Sequence, residues 1–205
     1  MTSAPARQQT RRTQADRRAR THSALLEAAA RGLSRHGYAN LVLEQVASEA
    51  GYSRGALYHL FSGKEELALA VVRWVQETWY AQMGPLLAQK GDPVETLVAV
   101  ARGHAVYCRR DVARVMMTLR VEFGTREHPV GRAVQDAVNR VLGDCTRLIA
   151  AGRRNGSIPP GPPPRVLALA LVGALEGLVI SLAGKAPHDE DLAERLVRGM
   201  LGGSR

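Results

Sequence analysis

Residues 43–60 read LEQVASEAGYSRGALYHL, a stretch whose spacing is typical of two short helices joined by a sharp turn. Helices that cross steeply need a small residue where they touch, and Ala47 supplies it. Gly51 follows four positions later and suits the positive φ of such a turn. The remaining positions fit the same pattern, with inward apolar residues and a helix-capping serine: Val46, Ala50, Leu57, Leu60 and Ser53. We therefore predict a helix-turn-helix.

Positive charge is concentrated around this stretch. The chain of 205 residues has 28 Lys and Arg against 19 Asp and Glu, a net charge of +9. Residues 1–60 contain nine Arg and four acidic residues, so they carry +5 of that total. Such an asymmetry favours a polyanionic partner. A solubilising tail explains Arg7 to Arg12 equally well.

The rest of the pattern predicts an all-α chain of about nine helices. We expect Thr21 to cap the first helix and Asp111 to cap the sixth, while Gly84-Pro85 bends or stops the fourth. The predicted helices cover about 21–36, 43–50, 53–60, 64–83, 93–109, 112–120, 130–153, 165–183 and 189–201. The proline-rich stretch 152–164 must be largely a loop. The predicted organisation is a flexible basic arm (1–20), a helix-turn-helix domain (21–67) and a second helical domain (68–205).

Composition excludes several classes of protein. Apolar residues make up 45% of the chain, which excludes a disordered protein, and two cysteines support neither a disulfide framework nor a four-thiolate zinc site. Residues 1–20 lack the apolar run of a secretory signal, which predicts a cytoplasmic protein. Residues 166–183 approach the length of a membrane span, but Glu176 near their centre favours a buried interface helix.

Sequence motifs of enzymes and metal sites are missing. We find no Gly-rich phosphate loop, no G-x-S-x-G, no H-E-x-x-H and no cluster of His, Cys and acidic residues at ligand spacing. We therefore expect no catalytic residues, no metal and no cofactor. An all-helical hydrolase built on His104 and Glu122 is the alternative.

The stretch from Thr21 to Leu67 resembles the TetR family of transcriptional repressors. The matching residues are Thr21, Leu26-Glu27-Ala28-Ala29, Gly37-Tyr38, Val46-Ala47, Ala50-Gly51-Tyr52-Ser53, Gly55, Leu57-Tyr58, Phe61 and Lys64-Glu65-Glu66-Leu67. The resemblance implies a sequence-specific DNA-binding regulator, a repressor that a small-molecule ligand releases from a pseudo-palindromic operator. The alternatives are an activator, a regulator without ligand control, or a nucleoid-type binder without sequence preference.

The same resemblance assigns residues to double-stranded DNA. The helix from Ser53 to Leu60 would lie in the major groove, where Arg54 can make a bidentate contact to guanine. The long helix that begins at Lys64 would transmit induction between the domains. The residues expected at bases or phosphates are Arg20, Thr21, Ser53, Arg54, Gly55, Ala56, Tyr58, His59 and Lys64. For Tyr58 a role in the core is the alternative, and for Lys64 a solvated surface position.

The chain departs from the family pattern at two places. Leu41-Val42 stands where hydroxyl residues are usual, so we expect Asn40 to cap the second helix instead. Leu60 replaces a usual histidine and is expected to pack inward. We assign Tyr38 and Phe61 to the core of the small domain.

The family's second domain dimerises and binds a ligand, and the last two predicted helices support a homodimer. Helices 165–183 and 189–201 are rich in Leu and Val, and a monomer would expose them to water. Two helices from each subunit would form a two-fold bundle that places the recognition helices about 34–36 Å apart, or a multiple of that distance. The residues expected at this interface are Val166, Leu169, Leu171, Val172, Leu175, Leu178, Val179, Leu182, Leu192, Leu196, Val197 and Met200.

The ligand is the least predictable feature, and the sequence does not identify the effector. Met and aromatic side chains between residues 67 and 150 suit an adaptable apolar pocket. The candidate lining residues are Trp74, Trp79, Met83, His104, Tyr107, Met116, Met117, Arg120, Glu122 and Phe123. Ordinary core packing is the alternative for each of them.

Overall fold

The computed structural model describes residues 14–110, 114–124, 127–182 and 184–202. All regular secondary structure in these ranges is helical, which confirms the predicted all-α class. Nine helices follow one another along them: α1 Gln14–His36, α2 Leu43–Glu49, α3 Arg54–Leu60, α4 Lys64–Leu87, α5 Pro93–Tyr107, α6 Val115–Phe123, α7 Pro129–Asn155, α8 Pro164–Leu182 and α9 His188–Leu201.

The helices pack around two apolar cores. The N-terminal core contains residues of α1, α2 and α3, the first turns of α4, helix α6 and the start of α7. The C-terminal core joins α5, the rest of α7, α8 and α9. Because α6 packs in the N-terminal core, the helix-turn-helix does not stand alone on residues 21–67. The division into domains at residue 67 stays a prediction.

The turn between α2 and α3 has the predicted geometry. Gly51 has φ +77°, a value that favours glycine, and the Tyr52 amide donates to the Ala47 carbonyl at 2.9 Å. Ala47 and Leu57 are buried where the two helices cross. The Ser53 hydroxyl caps α3 by accepting from the Ala56 amide at 3.3 Å. The helix-turn-helix prediction is confirmed.

The predicted start of α1 is wrong. The helix begins at Gln14, seven residues before Thr21, so residues 14–20 are helical rather than a flexible arm. Thr21 lies inside the helix, where its hydroxyl donates to the Arg17 carbonyl at 3.0 Å instead of capping. The segment is compatible with helix because it is rich in Arg, Ala and Gln, and Asp16 in the first turn complements the helix dipole. Residues 1–13 lie outside the described ranges.

Three other predicted helix ends differ. The Asn40 amide donates to the His36 carbonyl at 3.2 Å, so it caps the end of α1, while Val42 precedes α2 without a side-chain cap. Pro85 lies in the last turn of α4, where it removes one hydrogen bond without stopping the helix before Leu87. Helix α6 continues to Phe123 and ends where Gly124 has φ +48°. The predicted cap Asp111 lies outside the described ranges.

Candidate DNA-binding face and effector cavity

Helix α3 presents an open face. Leu57 anchors it in the N-terminal core, and Leu60 packs partly against that core as expected from its place in the motif. Ser53, Arg54, Gly55 and His59 are exposed, and Ala56 is partly buried. Tyr58 is 41% exposed, so the alternative of a core aromatic is wrong. The face therefore has the accessibility that a helix needs to enter a groove.

Arg54 is held loosely on this face. Its Nε lies 3.1 Å from Glu44 Oε1, and its guanidinium lies 5.2 Å from the centre of the Tyr58 ring. The Arg54 and Glu44 side chains are both largely exposed, and such pairs contribute little to stability. The guanidinium can therefore exchange Glu44 for a base edge at small cost.

Basic side chains of α1 flank α3. Arg17, Arg18 and Arg20 are exposed in the first turns of the helix. Arg20 and Tyr52 both line a shallow surface hollow between α1 and the turn that precedes α3. This position extends positive charge beyond α3, as a phosphate-contacting flank requires.

Lys64 and Glu122 hold the turn that follows α1 from two sides. Lys64 Nζ donates to the carbonyls of Tyr38 and Ala39 at 3.0 and 2.9 Å. Glu122, on α6, accepts the amide N–H groups of the same two residues, Tyr38 through Oε2 and Ala39 through Oε1 at 2.6 Å. Gly37 has φ +74°, and a Cβ there would lie 2.6 Å from Glu122 Oε2, so this close approach requires glycine. We call this arrangement the turn clamp.

The turn clamp was missed by sequence reasoning. Lys64 was expected to bind phosphate, and the structure uses two of its three N–H donors on backbone carbonyls. Glu122 was expected in the ligand pocket, and the structure places its carboxylate at the turn. Residues 38 and 122 are far apart in the sequence, and local spacing carries no signal for such a pair.

A cavity of about 140 Å³ lies between helices α4, α5, α6, α7 and α8. Five predicted residues line it: Trp79, His104, Tyr107, Met116 and Met117. The lining is mainly aliphatic side chains from α4, α5, α7 and α8, with a few polar groups that sequence reasoning missed: Gln76, Tyr80, Cys108, Cys145 and Glu176.

Glu122 and the other four predicted ligand residues do not line this cavity. Trp74 packs beside the N-terminal core with Arg110 5.9 Å from its ring. Met83 is buried against Gly103, and Phe123 stacks on His128 with ring centres 4.4 Å apart. Arg120 instead binds both carboxylate oxygens of Glu176, at 2.9 and 2.8 Å. Residue type alone could not tell which face of each helix points to the cavity.

Burial shifts the pKa values of the ionisable groups of the cavity toward their neutral forms. Burial lowers the pKa of His104 to about 4, and its Nδ1 accepts from Trp79 Nε1 at 3.0 Å. Burial also raises the pKa of the Cys108 and Cys145 thiols to about 12. Burial raises the pKa of Glu176 as well, although the Arg120 guanidinium opposes this shift. At pH 7 the imidazole and both thiols therefore carry no charge.

Helix α8 leaves one face uncovered. Val166, Leu169 and Ile180 are 54%, 53% and 49% exposed, and Gly173 and Gly177 lie between them on the same face. The opposite face, with Leu171, Leu175 and Val179, packs into the C-terminal core, so only part of the predicted interface set points outward. In the described ranges α8 is the one helix long and apolar enough to cross a membrane. Only 22% of its apolar stretch is buried within the chain.

Comparisons with known proteins agree with this arrangement. Residues 25–71 match the family model described as bacterial regulatory proteins, tetR family. The chain is 30% identical over 192 residues to the HTH-type transcriptional repressor AcnR of Corynebacterium glutamicum, covering 89% of this chain and 95% of that protein.

Two solved structures show the same fold. AibR, crystallised with isovaleryl coenzyme A and operator DNA, has a TM-score of 0.72 and 20% identity, over 88% of this chain and 98% of AibR. FadR of Bacillus subtilis, crystallised with stearoyl-CoA, has a TM-score of 0.74 and 16% identity, over 90% of this chain and 100% of FadR. At these identities the likeness concerns the fold.

Proposed function

This chain belongs to the tetR family of bacterial regulatory proteins, and we propose that it is a cytoplasmic transcriptional repressor rather than an enzyme. In this proposal it binds a pseudo-palindromic operator as a homodimer, and a small molecule in the cavity releases it. The observation that carries the proposal is the open face of α3, the helix that follows the turn at Gly51. It is supported by the 30% identity of the chain to a repressor over 89% of its length. Operator binding by AibR supports the DNA partner, and the coenzyme A esters bound to AibR and FadR support a small-molecule effector.

We propose that the exposed face of α8 is covered by a second copy of this chain. Large contiguous apolar patches are uncommon on soluble monomers, and Gly173 and Gly177 allow two copies of the helix to approach closely. The Glu176 carboxylate, which makes α8 unsuited to a membrane, is paired with Arg120 on the side of the helix that lines the cavity. A two-fold axis through this face presents two α3 helices to two half-sites of a pseudo-palindrome.

We further propose that α6 couples the cavity to the DNA-binding face. Glu176 lines the cavity and is bound to Arg120 on α6. Glu122 lies two residues further along α6 and holds the turn after α1. An effector that moves the Glu176–Arg120 pair therefore shifts the helix that carries the turn clamp. The effector weakens operator binding by as much free energy as it gains by binding the shifted arrangement of α6 rather than the DNA-bound one.

The Glu122→Ala variant tests the turn clamp. Two backbone N–H groups lose their acceptor, so we expect the free energy of unfolding to fall by about 1–3 kcal/mol and operator affinity to fall with it. Chemical denaturation and operator titration measure the two effects. Glu127→Ala, which removes an exposed carboxylate near the start of α7, is the control and should leave both unchanged. Retention of full operator affinity by Glu122→Ala would show that Glu122 does not couple the cavity to the DNA-binding face.

Selection of bound sites from random DNA tests the function itself. The wild-type protein should enrich a pseudo-palindrome, and Arg54→Ala should lose preference at one base pair in each half-site, worth about 1–3 kcal/mol of discrimination. Arg17→Ala, the control on α1, should weaken all sequences alike and reduce the salt dependence of binding. Equal binding of all sequences by the wild type would favour a nucleoid-type protein and overturn the proposed function.

A further inference from the structure

One buried donor in the cavity is unpaired among the residues that the structure describes. Gln76 lies on α4 and lines the cavity, and its buried amide nitrogen Nε2 has no hydrogen bond to any residue that the structure describes. Buried N–H donors are nearly always paired, because an unpaired one retains the cost of its lost hydration. The Gln76 amide is therefore ready to donate to an acceptor that enters the cavity.

The neighbouring polar groups are already engaged. Trp79 Nε1 donates to His104, and the Tyr80 hydroxyl donates to Asp144 Oδ2 at 2.7 Å. The Tyr107 hydroxyl donates to the Val75 carbonyl at 3.1 Å. These contacts distinguish Gln76 from the aromatic and imidazole side chains of the lining. A ligand that forms one new hydrogen bond here gains most by forming it with Gln76.

Charge and size restrict the ligand further. Arg120 binds both oxygens of Glu176, and the His104 imidazole and both thiols are neutral at pH 7, so no unpaired charge among the lining residues attracts an ion. A charged ligand would lose its hydration without compensation. The cavity of about 140 Å³ is close in size to the apolar cavity of roughly 150 Å³ that accommodates benzene.

We infer that the effector presents to this cavity a compact, uncharged, apolar group with one carbonyl-type acceptor, which Gln76 Nε2 binds. The inference rests on the proposed function and specifies its ligand. Two sources offer this chemistry, a free ketone or ester and the acyl group of a larger thioester.

A matched series of probes tests the inference on the full chain. Acetophenone has the ring and the carbonyl acceptor, ethylbenzene has the ring alone, and benzoate adds a negative charge. In calorimetric or ligand-observed NMR titrations at pH 7 we expect acetophenone to bind about fivefold more tightly than ethylbenzene, because it forms one additional hydrogen bond. Benzoate should not bind measurably. Isovaleryl coenzyme A tests the thioester source, and Gln76-dependent binding of either carbonyl probe supports the inference.

Two variants connect the difference to Gln76. Gln76→Leu removes the donor and should lower the affinity for acetophenone to the level of ethylbenzene. It should weaken isovaleryl coenzyme A by a similar factor, while ethylbenzene binds as before. Gln82→Leu, an exposed glutamine on the same helix, should leave the whole series unchanged. Circular dichroism confirms that both variants are folded.

The opposite results separate this inference from the proposed function. Tighter binding of benzoate than of acetophenone, a preference that survives Gln76→Leu, or no binding of any probe overturns the proposed ligand class. If the same protein still selects a pseudo-palindrome from random DNA, the repressor function stands. Absence of sequence preference would instead overturn the function, whatever the probes show.

Discussion

The double variant Leu169→Lys, Ile180→Lys is expected to sediment as a single chain and to bind its operator at least 100-fold more weakly than the wild type. Both side chains are about half exposed on the uncovered face of α8. Burying two ammonium groups against their symmetry copies places like charges in a desolvated interface. Loss of the dimer leaves each α3 to bind one half-site alone, and linked binding modules typically gain a factor of about 100 to 10,000 in affinity.

Sedimentation velocity and operator titration on the same samples measure the two effects. The control is Val121→Lys on α6, since Val121 is 85% exposed and lies off this face. It should remain dimeric and bind the operator normally. A wild-type protein that sediments as a monomer, or a double variant that remains a dimer, would show that the face of α8 does not form the interface.

Local sequence chemistry predicts the helix-turn-helix well. Ala47, Gly51 and Ser53 form their hydrogen bonds with neighbours within five residues, so their spacing contains the geometry that the structure shows. The same reasoning failed at Thr21, because a residue suited to capping can also lie inside a longer helix. Capping preference alone does not show whether the preceding residues are helical.

The turn clamp and the cavity depend on contacts between distant segments. Glu122 meets Tyr38 and Ala39 only after α6 has packed against α1. Gln76 was not predicted to bind ligand because its orphaned Nε2 is apparent only when neighbouring helices bury it. Such sites require the tertiary structure, whereas an amphipathic face such as that of α8 is partly visible in the sequence.

The helix behind the proposed dimer face depends on a buried carboxylate. Asp189, in the first turn of α9, is fully buried, and Arg109 donates to both of its oxygens at 2.8 Å. Arg109 also donates to Glu190 at 2.6 Å, but Glu190 has a second partner in Arg102. Removing Arg109 therefore leaves Asp189 without a cationic partner, with only the Glu190 backbone amide still donating to it at 3.0 Å. Arg109→Ala is expected to lower the melting temperature by about 10 °C, because a stranded buried charge is strongly destabilising.

The pH dependence of this loss identifies its cause. In the wild type the hydrogen bonds from Arg109 hold the pKa of Asp189 below its ordinary value, so the contribution of the pair is complete at neutral pH. It disappears only as the pH falls through that lowered pKa. In Arg109→Ala, burial without a cationic partner should raise the pKa of Asp189, so the folded variant takes up a proton more readily than the unfolded chain.

Lowering the pH from 7 to 5 should therefore narrow the difference in melting temperature between the wild type and Arg109→Ala. Arg198→Ala is the control, because Arg198 pairs with Glu95 and Glu194 at the surface, and it should shift the melting temperature by no more than about 2 °C at either pH. A difference for Arg109→Ala that stays constant or widens between pH 7 and 5 would attribute the loss to packing of the arginine side chain instead. Replacing both partners, as in Arg109→Met with Asp189→Leu, should recover part of the lost stability, because no charge is then left buried.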